Sequence, residues 1–215
     1  MSPSSHVSIA LLGFLLAAPA VAAPSGQAPV APSSASAAVS NAVPEGFAFA
    51  PDGTTLIHVA SGLRFPANFK GFKRLKEQAN DPSGQYVAIS YAHPLRGSKE
   101  SVVVRFAVVQ IDEMSAHDHY LIMRQAAMSH FSAPTIVSEG PVKIPTDPKL
   151  DAYRGTFSGT RDNQPWRFSL TTVDYGHWSG RMTAAYPQSN AAEAEQYLGV
   201  LLTEVRAQTP KALGK

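Results

Sequence analysis

The sequence predicts an α+β fold, a single domain in which an antiparallel sheet of about six strands packs against two amphipathic helices. Two observations predict this class. Apolar and polar residues alternate in short runs separated by turn residues, which is typical of antiparallel strands. Two other segments repeat apolar residues every three or four positions, which is typical of helices that bury one side. The connections between the runs are too short for the crossovers that parallel strands need.

Strands in the first half of the domain are predicted from alternation and turn signals. They cover residues 55–59, 63–65, 86–91 and Ser101–Gln110, and turn residues stand between them. The run from Ser101 to Gln110 places four apolar side chains on one side. We expect it to be a central strand, buried on both faces.

Two helices are predicted. Residues 114–131 begin with the capping-box spacing Ser115-x-x-Asp118 and carry one apolar face. The second helix is predicted to start at Asn190, with Glu193 three residues later, and to end at Pro210. The apolar side of the first helix comprises Tyr120, Met123, Ala127 and Phe131, and that of the second Ala194, Tyr197, Leu198, Leu201, Leu202 and Val205.

The region between the helices is predicted to form a short strand, a loop and a three-stranded meander. The short strand covers 135–138, and the proline-spaced loop covers 139–150. The meander comprises strands at 153–160, 166–171 and 178–186, with a five-residue turn at 161–165 after its first strand. Alternation from Trp166 predicts a half-buried middle strand.

The first 22 residues predict export. Residues 7–16 are apolar and uncharged, and Ala20-Val21-Ala22 is the small-x-small pattern that a signal peptidase reads. A membrane anchor is the alternative, but a spanning helix needs about 20 apolar residues. We therefore predict a signal peptide at 1–22, a disordered Ala/Pro/Ser-rich linker at 23–45, the domain at 46–209 and a disordered tail at 210–215.

Composition excludes several classes of function. The 18 basic and 16 acidic residues give a net charge of +2, so no broad basic field would attract nucleic acid. Without cysteine there is no disulfide, no thiolate nucleophile and no lipid-anchored cysteine. Four basic residues within 70–76 alternate with phenylalanine, and they indicate a solvated strand edge rather than an anion site.

His117-Asp118-His119 is the candidate metal site. On a strand, two histidines two positions apart would face the same side, which suits zinc or copper. At a helix start, two positions correspond to about 200° of rotation, so the two rings point apart. The sequence favours an ordinary helix start with exposed histidines, and no cofactor is expected.

Motifs for other chemistry are weak. The stretches 155–159 and 176–180 read G-x-x-S-G and lack the nucleophile-elbow spacing of a serine hydrolase. Asp174, Tyr175, His177 and Trp178 cluster at a turn, where they line a small pocket or, as we prefer, cover the end of the sheet.

The order of elements resembles the Mog1/PsbP-like fold. Local similarities are the residues 61–66 (SGLRFP) and Tyr186-Pro187 before the last helix. The stretch from Phe65 through 71–74 (GFKR) to Tyr91 is similar to uncharacterised exported proteobacterial proteins. Members of the fold include photosystem-associated lumenal proteins, a nuclear-transport factor and small bacterial envelope proteins. The resemblance implies binding and assembly rather than shared catalytic residues.

Three functional hypotheses follow. The first is an exported, non-catalytic module that binds a protein partner in the periplasm or cell envelope, with the loop 139–150 as the preferred contact. The second is a carrier of a small apolar ligand between sheet and helix. The third is a metal-dependent enzyme that uses His117 and His119.

Overall fold

A computed structural model describes Val43 and residues 45–79, 81–144 and 147–205, without the side chains of 76–79 and 202–205. The predicted signal peptide, the tail, Pro210 and the linker apart from Val43 and Glu45 lie outside these residues. All described residues belong to the unit that begins at Val43. In this part of the chain, no helix is long and apolar enough to cross a membrane.

The fold class is confirmed, but the described residues form more strands than the six predicted. An antiparallel eight-stranded sheet has the spatial order β4-β5-β6-β7-β11-β10-β9-β8. Its strands are β4 (Asn68–Phe69), β5 (Phe72–Ala79), β6 (Tyr86–Pro94), β7 (Ser101–Gln110), β8 (Ser132–Pro141), β9 (Ala152–Arg161), β10 (Gln164–Asp174) and β11 (Trp178–Pro187). A small sheet of β1 (Phe47–Phe49), β2 (Leu56–His58) and β3 (Arg64–Phe65) accompanies it. The main strand that the sequence did not predict is β5, because its basic residues obscure the alternation around the buried Phe72.

Both predicted helices are present. Helix α1 covers Ala116–Met128, and its first turn is capped by Ser115, whose Oγ accepts a hydrogen bond from the Asp118 amide at 3.0 Å. Helix α2 covers Ala191–Val205 and follows a single 3-10 turn at Gln188–Asn190.

The predicted five-residue turn after β9 is wrong. Arg161 pairs with Gln164, so only Asp162 and Asn163 form the turn. Their φ angles of 52° and 59° are left-handed, as a tight two-residue hairpin requires. Pro165 misled the prediction, because it pairs with Thr160 inside the strand.

The predicted loop 139–150 begins too early, because residues 139–141 belong to β8. Strand β8 has ten residues rather than four, and Glu139 lies within it. Glu139 accepts hydrogen bonds from Tyr120 (2.6 Å) and Arg124 (3.1 Å), which attach this strand to α1. Ile144, in the remaining connection, is fully buried.

The two helices pack on opposite faces of the large sheet. We call the side with α1 the α1 face and the side with α2 the α2 face. Helix α1 packs on β9, β10 and β11, and its core includes Tyr120 and Phe157. The α2 face holds the larger core, which includes Trp178, Tyr186 and Leu198 together with residues of the small sheet.

Burial of the central strands differs from expectation. Strand β10 is buried on both faces from Phe168 to Val173, not half-buried, because each helix covers one side. Strand β7 is central as predicted, but Val103 on the α1 face is 38% exposed. This part of the α1 face is therefore accessible.

Candidate functional site

The accessible part of the α1 face is formed by β6, β7 and β11. Strand register places Ser90, Arg105 and Thr183 in one row across the three strands. Ala88, Ala107 and Arg181 form the next row. Polar side chains therefore lie over a floor of alanines, beside the helix.

Arg181 extends across this floor. It is in register with Ala107 on β7, which is in register with Ala88 on β6. Both alanines are buried, and their small side chains leave space for the arginine to donate a 2.8 Å hydrogen bond to the Tyr86 hydroxyl. The guanidinium is thus held against the sheet.

The electrostatic environment of Arg181 is unfavourable for its own charge. Burial lowers the pKa of the Arg181 guanidinium; the positive charge of Arg105 lowers it further, against the opposing effect of Tyr86. Among the residues that the structure describes, no carboxylate forms an ion pair with Arg181. Arg181, whose charge has no carboxylate partner among the described residues, therefore forms a candidate anion-binding site with its neighbour Arg105.

His119 borders this site and differs from expectation. Its side chain is buried, not exposed, and its Nδ1 lies 2.5 Å from the Oγ of Ser179. Burial, with a smaller effect from Arg181, lowers the pKa of His119 to about 4. The imidazole is therefore neutral at neutral pH.

His117 lies apart from His119. His117 is exposed, and its ring contacts that of Tyr153 in a tilted arrangement, with centroids 4.6 Å and ring planes 42° apart. No group of three or more histidine or acidic side chains within the described ranges could hold a metal ion. The two rings point in different directions, as a helix start requires.

Ser179 and His119 form a hydrogen-bonded pair, and a serine beside a histidine is also the arrangement of a catalytic nucleophile and its base. Ser179 also belongs to the second G-x-x-S-G stretch. Both residues are, however, enclosed between α1 and β11, with exposed fractions of 1% and 4%. Burial of this degree is typical of a contact that stabilises the packing of α1 on β11.

The predicted cluster at the turn after β10 does not form one site, because His177, Trp178 and Tyr175 lie in different surroundings. His177 contacts Asp112 across an exposed 2.6 Å pair, while Trp178 lies in the core. The Tyr175 ring packs over Gly180, where a Cβ would lie 2.6 Å from Tyr175 Cε2. Tyr175 thereby becomes a wall of a cavity on the α2 face, so the pocket alternative is the better description of this residue.

This cavity lies between the sheet and α2, the position the ligand-carrier hypothesis requires. Its volume is about 50 Å³, and its walls are mainly apolar. Phe106 and Met182 contribute from the sheet and Leu201 from α2, while Thr171 supplies a hydroxyl.

Sequence reasoning missed Arg181 as a functional candidate. Alternation along β11 places it on the side opposite Met182, which sequence alone assigns to solvent. Only the register with Ala107 and Ala88 shows that the arginine lies on small residues beside a second arginine. The predicted basic cluster is less informative: Arg74 donates to the Phe65 carbonyl at 2.5 Å, and its role there is structural.

No family model and no curated protein match the sequence. Among solved structures, similar chains include PA94, a Pseudomonas aeruginosa protein of unknown function (TM-score 0.45, 7% identity, covering 71% of this chain and 90% of that one). LpqN, involved in cell envelope biogenesis of Mycobacterium tuberculosis, has a TM-score of 0.44 and 11% identity over 61% of this chain and 75% of its own.

The Saccharomyces cerevisiae Ran-binding protein Mog1p is also similar, with a TM-score of 0.38 and 9% identity over 76% of this chain and 90% of that one.

Proposed function

We propose that this protein is a non-catalytic binding module of the cell envelope that binds an acidic segment of a partner protein on its α1 face. The observation that carries the proposal is Arg181, a partly buried guanidinium that has no carboxylate partner among the described residues and that lies near the positive charge of Arg105. A partner carboxylate would supply the missing counter-charge. Arginine binds such groups through two parallel hydrogen bonds.

The surroundings favour a protein over a membrane or nucleic acid. Membrane surfaces and nucleic acids select clusters of many basic residues, whereas the described side chains of β6, β7 and β11 on this face include two arginines, on a chain of net charge +2. The exposed Val103 adds an apolar contact next to the charged pair. A small charged centre with apolar and hydroxyl neighbours is typical of a protein interface.

The envelope location follows from the export signal predicted in residues 1–22. A carrier of a small apolar ligand is the second alternative, and the cavity limits that ligand to one smaller than benzene, because its volume of about 50 Å³ is about a third of the 150 Å³ that accommodates benzene. The metal-dependent alternative has weaker support, since His117 and His119 do not converge.

The test is fluorescence anisotropy of the full chain with a labelled ten-residue Glu/Gly peptide, with a Lys/Gly peptide for comparison. We expect the acidic peptide to bind and the Lys/Gly peptide not to bind, and we expect the affinity for the acidic peptide to fall as the salt concentration rises. The double variant Arg105→Gln/Arg181→Gln should weaken it at least tenfold. Arg64→Gln, which removes an exposed arginine on the small sheet, is the matched control and should leave the affinity unchanged.

Two results would overturn the proposal. One is acidic-peptide binding that the double variant leaves intact. The other is binding of anionic phosphatidylglycerol vesicles with no binding of the peptide, which would make the surface a lipid site.

A further inference from the structure

A row of buried polar atoms that have no hydrogen-bond partner among the described residues lies on the α2 face, on the side of the sheet away from the Arg181 side chain. The atoms are the Nε of Arg154 and Arg167, the Oγ of Ser169 and the Oγ1 of Thr171. The two hydroxyl residues are 1% and 0% exposed. Native proteins leave few such groups unpaired, and their concentration at one place requires an explanation.

Strand register brings these groups together. Thr171 on β10 is directly opposite Arg154 on β9, which places their Cβ atoms about 5 Å apart. Ser169 and Arg167 follow at alternate positions of β10 and therefore point to the same side. Each unpaired atom is able to donate a hydrogen bond, so the set matches a group rich in acceptors.

The charges around this row also favour an anion. Arg154 donates a 2.7 Å bond to Glu195 on α2, and Glu195 also accepts from the Tyr186 hydroxyl. Glu195 is thus already engaged, and with Arg154 and Arg167 the local formal charge is +1. The Nε of each arginine stays available.

Thr171 belongs to both the polar row and the apolar cavity. A ligand at this junction would place an acidic group against the polar row and an apolar part against Phe106, Met182 and Leu201. Inorganic phosphate could accept hydrogen bonds from the polar row, but it has no apolar part to fill the cavity.

We propose that the space between α2 and the sheet binds a short-chain carboxylate, with its carboxylate at Thr171, where the polar row meets the cavity, and its alkyl chain in the cavity. The size of the chain follows from the volume. Because benzene occupies a 150 Å³ cavity, about 50 Å³ accommodates about two carbons. The ligand class is therefore about the size of propionate to butyrate.

The experiment is calorimetric titration of the full chain with sodium acetate, propionate, butyrate and hexanoate at constant ionic strength, with thermal unfolding in parallel. We expect the affinity to rise about fourfold per added methylene up to butyrate and to fall at hexanoate. Inorganic phosphate should produce no comparable response.

Adjacent threonines provide matched variants. Thr171→Val removes an unpaired hydroxyl at constant shape, so it should raise the unfolding temperature of the free protein and abolish the response to butyrate. Thr172→Val removes a hydroxyl that donates to the Ala116 carbonyl at 2.7 Å on the α1 face. It should lower the unfolding temperature and leave butyrate binding intact.

Arg105→Gln changes the α1 face at a residue that does not line the cavity, and this variant should bind butyrate normally. The proposal is overturned by absence of butyrate binding, by an affinity independent of chain length, or by binding that Thr171→Val retains. Loss of butyrate binding in Arg105→Gln would overturn it as well, by assigning the carboxylate to the other face.

Discussion

The Nδ1 atom of His119 lies 2.5 Å from the Oγ of Ser179, in the contact between α1 and β11. The helix is thereby fixed over the strand that also carries Arg181. Since the exposed fraction of His119 is 4%, its neutral form is the one that the folded protein accommodates. The stability of the α1 contact is consequently linked to pH.

We predict acid destabilisation between pH 6.5 and pH 4. Burial lowers the pKa of His119 from 6.5 to about 4, so below pH 6.5 the unfolded chain binds a proton that the folded chain does not. The contribution of His119 to the free energy of unfolding is fully present above pH 6.5 and is lost as the pH falls towards 4; the loss amounts to at most about 3 kcal/mol. Urea unfolding at a series of pH values measures it.

The variant His119→Asn should flatten this pH dependence, since asparagine places a non-titrating polar group near Ser179. His58 adds to the same trend, because burial also lowers its pKa. His117→Asn on the exposed side of the same helix turn is the control. An unchanged slope in His119→Asn would contradict the assignment.

Removing the partner hydroxyl should destabilise the domain directly. Ser179→Ala leaves the buried Nδ1 of His119 unpaired, and we expect a loss of about 1–3 kcal/mol in the free energy of unfolding at pH 7.5. Ser138→Ala, at an exposed position of β8, should change it by less than about 0.5 kcal/mol. Equal effects of the two substitutions would show that the buried contact has no special weight.

Gly155 is required by the packing of α1. A Cβ at this position would fall on the Tyr120 hydroxyl and lie 2.7 Å from Phe157 Cζ. We expect Gly155→Ala to lower the free energy of unfolding by about 1–3 kcal/mol through overpacking. Gly140→Ala, with no heavy atom within 4 Å of the added Cβ, is the matched control in thermal and urea unfolding. A tolerated Gly155→Ala would mean that α1 moves freely over the sheet.

The turn at Asp162 and Asn163 needs residues that accept a left-handed conformation. Because the φ of Asn163 is 59°, Asn163→Val should cost about 1–2 kcal/mol, whereas Asn163→Gly should be tolerated. Gln164→Val, at the neighbouring exposed strand position, is the control for the added β-branched side chain. Calorimetric unfolding compares the three, and equal costs at both positions would exclude backbone strain as the cause.

Local signals in the sequence predicted most of the fold. The Ser115 cap, the spacing of Tyr120 and Phe131, and the alternation along β7 and β11 all depend on neighbours in sequence, and each was confirmed. Strand β5 was missed because its basic side chains hide the alternation. Pro165 hid the short turn, since proline usually marks loops.

The candidate sites depend on contacts across the sheet and could not be predicted in this way. Whether Arg181 is solvated or confined depends on the register with Ala107, which lies 74 positions earlier. Burial of Ser169 and Thr171 likewise depends on their place within the assembled sheet, on the face that carries α2. Alternation identifies which residues share a face but not what covers that face.

The short turn before β10 has a consequence beyond stability. Adjacent residues of this strand belong to different interiors, with Phe168 and Leu170 under α1 and Ser169 and Thr171 on the α2 face. One inserted residue that shifted the register would exchange the two sets, turning the hydroxyls into the aromatic core and the aromatic ring towards the arginines. The length of this turn is therefore fixed by both interiors at once, whereas its two residues need only accept left-handed φ angles.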